Sequence, residues 1–260
     1  MKLGINMNAY PISIEEQVAL MVKYGFRATF SMADSLTLDE EIRACRAAGI
    51  VHENLHAPFR KINSIWLDGE EGDEMLASLI QAVDDAKAYG IPTLVIHLSS
   101  GKTPPRVSNL GLSRFDILFS HAKEKGITLA IENQRFLGIF ALFMDYFPEA
   151  KFCFDTGHCV CFTNNEIPFL ELFGHRMVAL HTHDNNTKED EHRIPLDADI
   201  DFAPMMMQIA DTPYDKALML ETISTHSPYY ADTTADEYYA RASASAQRLA
   251  DLIAYHRTDY

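Results

Sequence analysis

The chain is poor in cysteine, poor in basic residues and free of long apolar runs. Its four cysteines, Cys45, Cys153, Cys159 and Cys161, are too few to staple 260 residues, and no pair of CxxC units is present to build a zinc ribbon. They read as reduced thiols in a cytoplasmic protein, and the Cys159-Val-Cys161 spacing reads as small buried hydrophobes before a soft-metal pair. Lysine and arginine number 22 against 37 acids, and the net charge of −15 repels polyphosphate and anionic lipid. Nucleic acid is disfavoured as a partner unless bound metal locally reverses that sign. The longest apolar stretch, Phe136 to Met144, is about half a membrane span, so no membrane association is expected. A strand-like segment starting at Lys2 leaves no room for a signal peptide.

What is present is a repeated alternation. Short runs rich in Val, Ile, Leu and Phe are separated by longer amphipathic stretches, the pattern of βα units around a parallel sheet. Eight strands are expected: Lys2 to Asn6, Phe26 to Phe30, Ile50 to Leu55, Thr93 to His97, Thr128 to Glu132, Phe152 to Asp155, Met177 to His181 and Ala217 to Glu221. Helices are expected at Ser13 to Tyr24, opened by a Ser13/Glu16 capping box, at Leu38 to Ala48 and at Glu74 to Tyr89. Gly25, Gly49, Gly90, Gly126 and Gly174 each follow a helical stretch, where a left-handed C-cap is wanted. The expected architecture is an α/β fold, a single (β/α)8 TIM barrel spanning 1–260 as one domain. The longest irregular pieces, His56 to Gly72, Ser99 to Ser108, His183 to Asp201 and Thr222 to Thr234, all follow strands, on the face where barrel active sites gather.

The ends of strands three to eight read His56, His97, Glu132, Asp155, His181 and Glu221, each a potential metal ligand. Parallel strands closing a barrel aim these side chains at one centre, so three carboxylates converge. Two carboxylates ~5 Å apart repel by about 3 kcal/mol at an effective dielectric of ~20, so three of them need a cation or raised pKa values. A mixed oxygen and imidazole shell suits zinc, manganese, cobalt or iron better than calcium.

The phrases Leu-His56-Ala-Pro-Phe, Val-Ile-His97, Ala-Ile-Glu132-Asn, Phe-Asp155-Thr-Gly-His158, Leu-His181-Thr-His-Asp184 and Leu-Glu221-Thr resemble the xylose isomerase-like barrel superfamily. That superfamily contains sugar isomerases and epimerases together with type-IV-like apurinic endonucleases. In the isomerase branch the resemblance implies that Glu132, Asp155, His181 and Glu221 hold one metal. Glu132 and Glu221 then act as the acid and base beside a substrate carbonyl, and His158 hydrogen-bonds a hydroxyl. In the endonuclease branch it implies a three-zinc cluster, for which His56, His97, His158, Asp190 and His192 supply the additional ligands. The substrate expected is a small carbohydrate, with His56, Trp66 and Lys188 as further contacts. A zinc phosphodiesterase and a non-catalytic metal- or sugar-binding barrel are the alternatives, and a homo-oligomer is compatible with everything above.

Two departures from the family pattern concern substrate choice. The glycine-rich phrase that usually follows the Asp-x-His pair is Pro195-Leu-Asp197-Ala-Asp199-Ile-Asp201, with no glycine and three acids, so a close backbone approach and a passing DNA backbone are both disfavoured. An arginine that epimerases often carry after the strand-seven histidine is replaced by Thr187, with Lys188 beside it. Elsewhere bland roles are expected: His52, His121, His175 and His226 as surface or satisfied histidines, Met205 to Met207 as core, Arg60 and Lys61 as solvated charges, and Phe59 as packing or a substrate cover. His183 shares the direction of His181 but lies past the strand end.

Overall fold

A computed structural model describes residues 1–163 and 168–258. Eight parallel strands, β1 (Leu3–Ile5), β2 (Ala28–Met32), β3 (Val51–His56), β4 (Thr93–Ile96), β5 (Thr128–Glu132), β6 (Lys151–Asp155), β7 (Met177–His181) and β8 (Leu218–Leu220), form one sheet in the order β7-β6-β5-β4-β3-β2-β1-β8. A parallel bridge between Thr182 and Leu220 brings its two edges together, with Thr182 N–H donating to Met219 O at 2.9 Å and Glu221 N–H to Thr182 O at 3.0 Å. The fold is therefore the (β/α)8 barrel that the repeats predict.

The helices α1 (Ile14–Lys23), α2 (Leu38–Ala47), α3 (Glu70–Tyr89), α4 (Asn109–Lys125), α5 (Leu137–Tyr146), α6 (Thr156–Thr163), α7 (Phe169–Phe173), α8 (Phe202–Ala210) and α9 (Ala235–Thr258) surround the sheet. Ser13 caps α1, its hydroxyl accepting from Glu16 N–H at 3.2 Å. Gly25, Gly49, Gly90 and Gly126 have φ of 81°, 73°, 67° and 72°, the left-handed conformation a helix end requires. Gly174 departs from the expectation, with a right-handed φ of −56°. Its lack of a side chain serves packing instead, since a Cβ there would lie 2.8 Å from Thr212 Cγ2. Among the described residues no helix is long and apolar enough to cross a membrane.

The main core lies between the strands and the helices, and the barrel interior is a separate, thinner filling. Val95, Ala130, Cys153 and Ala179 make one buried interior group and Ala28, Phe30, Ala217 and Met219 another. One-residue register shifts at Phe152/Cys153 on β6 and at Thr29/Phe30 on β2 re-phase these strands against their neighbours. The first shift is what sets Asp155 directly opposite His181. Of the methionine run on α8, Met205 and Met206 are buried while Met207 is exposed.

Candidate metal centre

Strand alternation builds the site. Two residues beyond the small interior side chains Val95, Ala130, Cys153, Ala179 and Met219, and on the same face, stand His97, Glu132, Asp155, His181 and Glu221. Each polar group thus rests on an apolar floor that holds it out of water. Glu132 is 1% exposed, Asp155 and His181 are fully buried, and the Glu221 side chain, at 14%, faces the opening.

Glu132 is the hub. Its Oε1 accepts from His181 Nδ1 at 2.6 Å, its Oε2 is hydrogen-bonded to His97 Nε2, and His56 Nε2 stands 3.5 Å from the same oxygen. His56 Nδ1 donates to Ala57 O at 2.8 Å, which turns its Nε2 toward the centre. His181 Nδ1 also lies 3.1 Å from Glu221 Oε2, so one imidazole spans the two glutamates. Its ring stacks on Phe30 with centroids 4.4 Å apart, and Phe59 lies 4.7 Å from the His97 ring. Asp155 is fixed through its backbone, which exchanges hydrogen bonds with the Asn133 side chain at 2.7 and 2.8 Å. Its Oδ1 accepts from His158 N–H at 2.6 Å.

Beside this group lies a second. His158 Nε2 is 3.2 Å from Asp190 Oδ2, while His192 Nε2 and His183 Nε2 are 3.4 and 3.5 Å from Asp190 Oδ1. The loop that carries Asp190 and His192 is held by the Asp184 carboxylate, which accepts from the N–H groups of Leu196, Ala198 and Ile200 at 2.9 to 3.0 Å. Leu196 takes φ 73°, so this loop makes a left-handed turn without glycine. Two of the three acids in that loop are engaged locally. Asp197 pairs with Arg241 and accepts from the Tyr230 hydroxyl, and Asp201 caps α8. The acidic wall expected against a DNA backbone is therefore much reduced.

Electrostatics follow from burial against charge. Burial alone would raise the Glu132 carboxyl, but His97 and His181 overcome it and hold it well below the carboxylate range. Burial likewise opposes ionisation of Glu221, and His181 outweighs it to bring the group down. Burial disfavours charged His192, yet Asp190 pushes it up to about 9. Among the described residues, the ion pairs of Glu132, Asp155, Asp190 and Glu221 are all with histidine.

Whether these residues suit a metal is decided by what they leave unsatisfied. Asp155 Oδ2, His181 Nε2, both ring nitrogens of His183, Asp190 Oδ1 and Glu221 Oε2 are buried without a hydrogen-bond partner. Buried polar groups are seldom left so, and lone pairs concentrated in two adjacent clusters are what a cation would satisfy. Three sets offer donor atoms within 4.8 Å of one another: Glu132, Asp155, His181 and Glu221; His56, Glu132 and His181; and His158, His183, Asp190 and His192. The donor chemistry fits zinc, manganese or cobalt.

Of the residues singled out in the sequence, Glu132, Asp155, His181, Glu221, His56, His97, His158, Asp190 and His192 all come together at this mouth. Trp66 does not join them as a substrate contact. It is 2% exposed, donates its indole N–H to Leu98 O at 2.7 Å and packs on Phe115 with centroids 5.2 Å apart. Lys188 is exposed at the turn of the β7 loop. The sequence reading undervalued His183 and missed Gln134, whose amide lies 3.1 Å from His158 Nδ1 and 3.3 Å from His97 Nε2. His183 was legible by parity: the bridge at Thr182 prolongs β7, so His183 keeps the inward side of His181.

Fold and site together define a parallel barrel whose carboxyl-terminal mouth offers donors for divalent cations. The family model for the xylose isomerase-like TIM barrel matches residues 18–249, and the chain belongs to that family. Uncharacterized protein y4fM of Sinorhizobium fredii is 30% identical over 203 residues, 72% of this chain and 63% of that protein. The chain therefore spans 63% of that relative's length. Among solved structures, D-psicose 3-epimerase with D-tagatose from Clostridium cellulolyticum superposes with a TM-score of 0.80 at 14% identity, covering 97% of this chain and 99% of that one. The IOLI protein with a binding zinc atom gives 0.77 at 15%, covering 98% and 99%. At these identities the likeness is one of fold.

Proposed function

We propose that the protein is a divalent-metal-dependent isomerase or epimerase of a sugar or sugar derivative, acting by proton transfer next to a carbonyl. The observation that carries this reading is the pair Glu132 and Glu221, placed on either side of His181 in a buried mouth, with Asp155 completing four donors. Glu132, Asp155, His181 and Glu221 would hold the ion. When bound, zinc, manganese or cobalt supplies Lewis-acid polarisation of the carbonyl and a neighbouring hydroxyl.

The remaining work belongs to side chains. Each glutamate has two oxygens, so one can face a cation while the other handles a proton. Glu221, whose side chain is 14% exposed, removes the proton from the carbon beside the carbonyl with the oxygen that does not face the cation. Glu132, hydrogen-bonded to His97 and His181, takes up a proton from solvent as charge builds on the enediolate and passes it to the carbon from the other side, giving the epimer, while Glu221 releases its own proton to solvent and the pair is reset. His158, which burial lowers and the carboxylates of Asp155 and Asp190 raise well above the ordinary imidazole range, donates to a substrate hydroxyl, with His56 as a second contact. Fold neighbours named as 3-epimerases, including one of L-ribulose, make ketoses the first substrates to try.

A second reading, a zinc phosphodiesterase, has a specific observation in its favour: all nine histidine, aspartate and glutamate positions implied by that branch gather at one mouth. The net charge of −15 weighs against it. Chromatography of a panel of ketopentoses and ketohexoses incubated with the metal-loaded protein separates the readings. Formation of an epimer or aldose supports the proposal. Inert sugars together with cleavage of an abasic oligonucleotide would favour the phosphodiesterase, and silence in both assays the binding barrel.

A further inference from the structure

Granted the isomerase or epimerase reading, on which this rests, we infer that the substrate is a ketose phosphate whose phosphate is held beside the metal centre, in the cleft between the loops after β4 and β5.

The charge of that cleft is the first argument. It encloses about 740 Å³ and is lined by Lys102 and Arg106 from the loop after β4 and by Arg135 from the loop after β5, against apolar walls at Pro104, Pro105 and Leu142. Among the described residues no acid lines it, in a chain where acids outnumber basic residues by 37 to 22. Basic side chains on other loops of the mouth are paired, Lys61 with Glu71 at 3.7 Å and Arg193 with Glu191 at 2.6 Å. The side chains of Lys102, Arg106 and Arg135 make no hydrogen bond or ion pair with the described residues. Charges of one sign set in low-dielectric walls concentrate their field and gather counter-ions. A phosphate monoester, close to a dianion at neutral pH, answers three cations better than a single carboxylate does.

The seating of Arg135 ties the cleft to the reacting centre. Its guanidinium carbon lies 3.5 Å above the Phe162 ring, and Phe162 stacks in turn on His158, with centroids 4.8 Å apart and planes 14° from parallel. A guanidinium held by its face keeps its N–H edge for an anion, and that fork matches phosphate. Gln134, one residue earlier, already touches His97 and His158. A sugar whose carbonyl end sits among the metal donors therefore has its far end directed along the loop after β5 toward Arg135. The start of α5 adds to the field, since Phe136 offers no side-chain cap, no acid stands in the first turn, and Leu137 and Gly138 line the same cleft.

Titration calorimetry of the full-length, metal-loaded protein, with ketopentoses and ketohexoses and with their terminal phosphates, tests this. At least one phosphate should bind about 10–10²-fold tighter than its parent sugar. Arg135→Ala should shrink that advantage by about tenfold or more, and Arg135→Lys by less, because lysine keeps the charge and loses the fork. The exposed pair Lys102→Ala/Arg106→Ala should shrink it too, and decides the matter should Arg135→Ala fail to fold. Phosphates that bind in this way yet remain unconverted count against the proton-transfer reading alone. Phosphates that bind no tighter than their parent sugars, or an advantage undiminished in both the Arg135 and the Lys102/Arg106 variants, overturn the inference even where free sugars are epimerised.

Discussion

Glu132 and Glu221 are the same residue type in unlike places: one is buried among three imidazoles, the other pairs, among the described residues, only with His181 and keeps its side chain 14% exposed. Their division of labour follows from that difference in environment. The same reasoning applies away from the site to His52, 8% exposed on β3 and 3.1 Å from the Ser31 hydroxyl. Burial pulls its pKa from 6.5 down to about 4. The folded state therefore binds that proton more weakly than the unfolded chain. Its contribution is fully present above pH 6.5 and is lost as the pH falls toward 4, about 3 kcal/mol in all. Urea unfolding at several pH values should show His52→Gln losing less stability than wild type between pH 6.5 and 4. Parallel curves for the two proteins would contradict this account of His52.

Strand and helix boundaries show what the sequence could and could not convey. Eight apolar runs were plain, because strands buried on both faces need them. Phe26 and Ile50, expected to open strands, instead close helices. Phe26 N–H donates to Met21 O and Ile50 N–H to Cys45 O, each at 2.9 Å, after a left-handed glycine. An apolar residue following such a glycine serves the cap before the sheet, and single-residue hydrophobicity does not separate the two roles. The ligand set was readable because barrel strands put every second residue inside. Trp66 was not, since a loop aromatic carries no period to say which way it faces. Its ring fits against Gly111, where a Cβ would lie 2.1 Å from Trp66 Cε3. Trp66→Ala should cost about 3–5 kcal/mol in chemical denaturation, with metal content unchanged. A stable variant with impaired carbohydrate binding would restore the substrate role.

At the scale of the whole molecule, an acidic barrel of net charge −15 gathers His56, His97, His158, His181, His183 and His192 around four carboxylates where its strands end, and those donors are what a cation needs. The account rests on proton transfer by two glutamates, and a bound metal could instead move a hydride between adjacent carbons without exchange. Turnover of a ketose substrate in D2O, followed by NMR of the recovered sugar, distinguishes these. Wild-type protein should place deuterium on the carbon next to the carbonyl, and Glu221→Gln should slow that incorporation by about 10²–10⁴-fold. Product formed without deuterium, or incorporation that Glu221→Gln leaves untouched, would contradict the account.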